Sequence, residues 1–142
     1  MDRTDREVKF PVVGTLLEVH RDVRRAIAEY NAMDMSFSVQ RFSITGHEPL
    51  GNHYHRQKSE TFVITSGFGV VILASMRENG EVLGGPKRHR IAPGSVIHVP
   101  AMTAHVFVFT TDSAEMFCWS SAGFDRAAPD IHPYVLVPNV LA

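Results

Sequence analysis

The chain has almost no cysteine. Cys118 stands alone among 142 residues, so no internal disulfide framework can form, and a reducing cytoplasm suits the sequence. It also lacks any charge excess. Against 14 basic side chains stand 15 acidic ones, which argues against binding nucleic acid by neutralising phosphates. There is no long apolar run. The charged start MDRTDREVK has no core for a signal sequence, and no segment approaches membrane-spanning length. Repeats, linkers and low-complexity stretches are missing as well. An apolar fraction of 44% with 20% charged residues fits one folded domain over 1–142, large enough to bury a core.

Most of the sequence reads as short strands rich in β-branched and aromatic residues. These are Val12 to Val19, Met35 to Thr45, Thr61 to Thr65 and Phe68 to Ser75, then Arg88 to Ile91, Val96 to Val99, Ala104 to Thr110 and Ala114 to Ser120. Turn residues separate them, among them Thr45-Gly46, Asn79-Gly80, Gly84-Gly85-Pro86 and Pro93-Gly94. Many short strands at regular spacing predict an all-β fold, a small antiparallel β-barrel or double-sheet jelly roll. The spacing of Val23, Ile27 and Tyr30 predicts one short N-terminal helix over Arg21 to Ala32. Phe42, Phe62, Phe107, Phe109 and Trp119 are expected to pack or line the interior. Cys118, inside an apolar strand, is expected to be an inert buried thiol. The proline-punctuated tail after Phe124 is expected to lie over the surface or over a partner subunit.

Two segments carry the chemistry. Gly51 to Gly67 reads GNHYHRQKSETFVITSG, with His-x-His, four residues, Glu, six residues and Gly. Gly94 to His105 reads GSVIHVPAMTAH, with Gly, five residues, Pro, four residues and His. Side chains on a strand alternate faces, so His53 and His55 point one way and Tyr54 the other. A turn through Arg56 to Ser59 lets Glu60 open the antiparallel neighbour, and His105 arrives from another strand pair. Three nitrogens and one oxygen suit one divalent metal ion (Zn, Fe, Mn, Ni or Cu) and leave positions open for substrate. The ligand set does not choose among those metals.

These two motifs resemble those of the cupin superfamily. The resemblance implies a cupin barrel with His53, His55, Glu60 and His105 as the metal ligands. The sequence departs from the common pattern at Met102, where many cupins have glycine, and at Phe109, where many have asparagine. A wider stretch (GTLLEVHRDV, SFSVQRF, GNHYHRQKSETFVI and MFCWSSAGFDRAAPDIHPY) is similar to cupin domains acting on nucleotide-linked keto-sugars. These are the C-terminal domain of capsular-polysaccharide reductase/epimerases and, more loosely, the dTDP-4-dehydrorhamnose 3,5-epimerase and 3,4-ketoisomerase families. The full ligand set implies their metal-containing branch, and hence an isomerase or epimerase working through a metal-stabilised enediolate.

Candidates for the base are His98, Tyr54 and Glu48, with Tyr54 disfavoured by strand parity. Candidate substrate contacts are Arg56 and Lys58 at the mouth and Phe107 and Phe109 within. The same ligands would equally serve a non-haem iron dioxygenase or a non-catalytic small-molecule cupin. A sensor of that last kind would usually carry a second domain such as a helix-turn-helix, which is not seen in this sequence. The expected partners are a small-molecule substrate and a second copy of the chain, with no nucleic acid and no membrane. Pairing in a homodimer is expected through a sheet edge or a swapped strand near Val8 to Val13.

Overall fold

The computed structural model describes residues 13–32, 36–122 and 127–139. Eleven strands are seen among the described residues. They are β1 (Leu17–Arg21), β2 (Arg25–Asn31), β3 (Ser38–Thr45), β4 (Leu50–Tyr54), β5 (Glu60–Ser66) and β6 (Gly69–Ser75), then β7 (Lys87–Ile91), β8 (Val96–Val99), β9 (Thr103–Phe109), β10 (Ser113–Ser120) and β11 (His132–Pro133). They form two antiparallel sheets, ordered β1-β2-β3-β10-β5-β8 and β11-β4-β9-β6-β7. The sheets face each other as a jelly roll and do not close into a barrel.

The helix predicted over Arg21 to Ala32 is absent; the segment is the end of β1, a turn and β2. The Asp22 carboxylate explains why. It accepts the backbone N–H groups of Arg24 (2.8 Å) and Arg25 (3.1 Å), a local turn that competes with helix. The Asp22 N–H then donates to the Arg25 carbonyl at 2.9 Å, closing a β1–β2 hairpin. Val23, one of the three residues behind the helical reading, sits at that tip and is 85% exposed. β2 finds a full partner in β3, from Arg25 opposite Ile44 to Asn31 opposite Ser38. Pairing along that strand outweighs a three-residue coincidence of spacing.

The core lies between the sheets. Phe62, Ile64, Phe107, Phe109, Met116 and Val71 are fully buried there, with the Phe62 and Phe107 rings 4.8 Å apart. Burial of side chains of this kind contributes about 1.5–3 kcal/mol each. Trp119 does not join them. The inner positions of β10 are Ala114, Met116 and Cys118, so Trp119 alternates outward, is 47% exposed and packs beside Phe117. Lys87, Arg88, His89 and Arg90 form a solvated strand edge. Residues 8–12 of the stretch expected to exchange between subunits lie outside the described residues, as do Met35 and Phe124. Among the described residues, no helix is long and apolar enough to cross a membrane.

Candidate metal centre

The site is built where β4 pairs with β9. Gly51 and Asn52 both have positive φ, at 115° and 58°, and the β4–β9 register shifts between Gly51 and His53. A Cβ at Gly51 would lie 2.6 Å from the His105 carbonyl oxygen, so only glycine lets the strands approach this closely. Past this bulge His53 sits directly opposite His105. Their rings are 4.7 Å apart, and the His55 ring lies 4.9 Å from that of His53.

The bulge and the turn after β4 are held by the C-terminal segment. Asn52 Oδ1 accepts the N–H groups of Leu136 (2.9 Å) and Val137 (3.1 Å), while its Nδ2 donates to the Val137 carbonyl at 2.8 Å. The Asp130 carboxylate accepts three successive backbone N–H groups, those of Arg56 (2.7 Å), Gln57 (2.8 Å) and Lys58 (3.1 Å). These bonds hold its carboxyl below the usual range against a burial effect that would raise it. They also shape the turn that delivers Glu60 to the head of β5. Part of the tail therefore lies over β4 of its own chain.

Three of the four candidate ligands are oriented by a further contact. His55 donates from Nδ1 to the Asp130 carbonyl at 2.5 Å, and His105 from Nδ1 to the Thr103 carbonyl at 3.1 Å, so both turn Nε2 inward. Glu60 Oε2 accepts the Cys118 thiol and the Ser120 hydroxyl, each at 3.4 Å. Its Oε1 points at the imidazoles, 2.7 Å from His55 Nε2 and 3.6 Å from His105 Nε2. The closer pair is not aligned as a hydrogen bond, and both atoms are buried without one. Donor atoms of His53, His55, Glu60 and His105 all lie within 4.8 Å of one another.

The electrostatics suit a cation. Burial, reinforced by the other two imidazoles, holds His53 down to about 3. His105 is lowered as well, again chiefly by burial. Burial alone would raise the Glu60 carboxyl, but His55 and His105 hold it down to about 2. At neutral pH the cluster therefore offers deprotonated imidazole lone pairs from His53 and His105 beside an ionised carboxylate. Two of its buried donor atoms have no hydrogen bond, and a divalent ion would satisfy both. The residues fit a metal. Burial pushes the Cys118 thiol well up, so it remains a neutral donor to Glu60.

The donors open into a cavity of about 160 Å³. Its apolar wall includes Ile27, Phe42, Phe62, Phe107 and Met116, and its polar lining beyond the cluster is Arg25, Gln40 and Lys58. Two of the expected substrate contacts, Lys58 and Phe107, are among the lining residues. Phe109 lies deeper in the core, and Arg56 turns toward Glu78 and the Tyr54 ring. None of the three candidate bases lines the cavity. His98 is exposed on the outer face and contacts Thr61 Oγ1 at 3.0 Å, because Ile97 and Val99 take the inner positions of β8. Tyr54 packs on the far side of β4 against His132, and Glu48 sits on the loop before β4. Sequence reasoning missed Arg25 and Ile27, which lie on β2 where a helix was expected, and Gln40, which lies on the expected strand β3 but carries no signal for a cavity role. It missed Asp130 too, for which no local signal exists.

No family model and no curated protein matches the chain. Solved structures do. Capsular polysaccharide assembling protein CapF from Staphylococcus aureus superposes with a TM-score of 0.71 at 20% identity, over 92% of this chain and 33% of that one. Vicilin from hazelnut, Corylus avellana, gives 0.65 at 16% identity, over 82% of this chain and 34% of that one. Procruciferin, an 11S globulin from Brassica napus, gives 0.62 at 16% identity, over 81% and 28%. The chain thus spans about a third of the length of the structures it matches. These neighbours have the cupin fold, and the chain shares it as two facing sheets, without the closed barrel that the resemblance implied.

Proposed function

We propose that this cupin-fold chain is a metal-dependent isomerase or epimerase of a keto-sugar, nucleotide-linked, or of a related small carbonyl compound. One observation carries the reading: four donors from β4 and the turn after it, β5 and β9 converge within 4.8 Å at the base of an apolar-walled cavity. The likeness to a capsular polysaccharide assembling protein supports a sugar substrate. Vicilins share the fold, so fold alone assigns no activity, and the donor cluster bears the weight.

A divalent ion held by His53, His55, Glu60 and His105 would act as a Lewis acid on a carbonyl oxygen. The protein's own groups do the rest. Asp130 and Thr103 fix the imidazoles of His55 and His105, and Cys118 and Ser120 fix the carboxylate. Phe62 and Phe107 exclude water from one wall, which strengthens every charge within. Apart from the ligands, Lys58 is the lining group able to exchange a proton, since an arginine stays protonated. The exposed edge strand β1 supports assembly as a homodimer, and the single cysteine supports a cytoplasmic location.

The test is incubation of metal-loaded protein with nucleotide-linked keto-sugars in deuterated water, followed by NMR and an oxygen electrode. Deuterium entering a carbon beside the carbonyl, with no oxygen consumed, is the expected result. Oxygen uptake without exchange would replace this reading with an oxygenase.

A further inference from the structure

The cavity holds a charge that the donor cluster does not use. Arg25, on the inner face of β2, lines the same space as His53, His55, Glu60 and His105. Its Nε is buried with no hydrogen-bond partner, and no ion pair among the described residues engages its guanidinium. Nearby carboxylates are committed elsewhere. Asp22 Oδ2 is taken by His20 at 2.8 Å and Arg24 at 3.2 Å, while its Oδ1 is used by two backbone N–H groups. Glu29 accepts from Gln40 at 3.0 Å and Asn31 at 3.2 Å. The adjacent Arg24 adds repulsion, which attraction from Asp22 opposes without pairing with the guanidinium.

A partly buried guanidinium without a directly paired carboxylate is costly and stays ionised, so it is retained where something else supplies the anion. Lys58 lines the cavity as well, which puts two cations against the single Glu60 carboxylate before any metal enters. Apolar walls of Ile27, Phe42 and Phe107 leave that field poorly screened.

We propose that Arg25 is the anion-recognition residue of this cavity, and that its ligands are small carbonyl compounds carrying a carboxylate or a phosphate. The anionic group seats on Arg25 while the carbonyl end faces the histidine cluster. The carbonyl end rests on the metal-site reading; the anionic end does not.

Three hydroxyketones on the same three-carbon skeleton test the claim by calorimetric titration: neutral dihydroxyacetone, hydroxypyruvate and dihydroxyacetone phosphate. Metal-loaded wild-type protein should bind one of the two anions at least about tenfold tighter than the neutral ketone, a difference of about 1.4 kcal/mol. The tighter anion identifies carboxylate or phosphate. Arg25→Gln should erase that preference while metal content and Tm stay unchanged, and Arg25→Lys should restore part of it. Equal affinities in the wild type, or a preference that survives Arg25→Gln, would overturn the proposal. So would a large drop in Tm for Arg25→Gln, which would make the residue structural. If the wild type binds no metal, the metal reading fails, and the same titration on metal-free protein decides Arg25 separately: a preference lost in Arg25→Gln supports the claim, and no preference refutes it.

Discussion

Glu60→Gln isolates the contribution of charge to the proposed metal site. The amide keeps the shape and one oxygen donor but loses the carboxylate's charge, which the structure places 5% exposed among three imidazoles. Removing one charge-assisted interaction costs about 1.5–3 kcal/mol. That corresponds to a loss of about 10- to 100-fold in metal affinity. With free metal at about 1,000 times the wild-type Kd, binding stabilises the fold by about 4 kcal/mol, and a hundredfold weaker site leaves about 1.4 kcal/mol. A domain of this size gains about 2–4 °C of Tm per kcal/mol, so the metal-induced rise should shrink from about 8–16 °C to about 3–6 °C. Differential scanning fluorimetry with zinc, cobalt or manganese against a chelator control reads both values. An equal rise in wild type and variant would refute a coordinating role for Glu60. No rise in either would refute the site.

Asp130→Ala should destabilise the protein by about 2–3 kcal/mol, since three backbone donors lose a charged acceptor, and should weaken metal binding about tenfold through a looser His55. Urea unfolding and metal titration check this, and unchanged affinity would show that the tail does not orient the ligand. Acid should weaken the metal-free fold. The unfolded chain takes up a proton at His53 near 6.5 that the folded state resists until about 3, so stability falls as pH drops through that window. Glu60, held down to about 2 from 4.5, adds a loss in the same direction below pH 4.5. Urea midpoints that stay flat between pH 7 and 4.5 would mean the cluster is solvated. Phe107→Ala should cost about 3–5 kcal/mol. Trp119→Ala should cost about 1 kcal/mol or less, although both rings read as interior in the sequence. Similar losses for the two would contradict the inner and outer assignment of β9 and β10.

Most strand positions and the clustering of His53, His55, Glu60 and His105 were legible because both depend on short-range rules. Alternation placed His53 and His55 on one face, and Gly67 marked a turn that needs a φ of 95° beside Ala114. The departure at Met102 also has a structural counterpart: its φ of 63° is the left-handed conformation that glycine would adopt without strain. What stayed hidden depends on contacts between distant residues. Asp130 reaches Arg56 through 74 positions of chain, and no local pattern announces that. The β2 segment misled because Val23, Ile27 and Tyr30 mimic a helical stripe while the inner face is Arg25, Ile27 and Glu29. That expectation hid Arg25 and Ile27 as lining residues of the cavity. His98, expected as a candidate base, alternates outward because Ile97 and Val99 take the inner face of β8, which core and pocket share.

The most direct test is to weigh the metal. Elemental analysis of the purified chain should find close to one divalent ion per molecule, falling to a small residue in His53→Ala and in His55→Ala, with circular dichroism confirming the fold. A wild type that carries none after exposure to zinc, iron, manganese, nickel and copper would contradict convergence of these side chains on a cation, as would variants that keep a full equivalent.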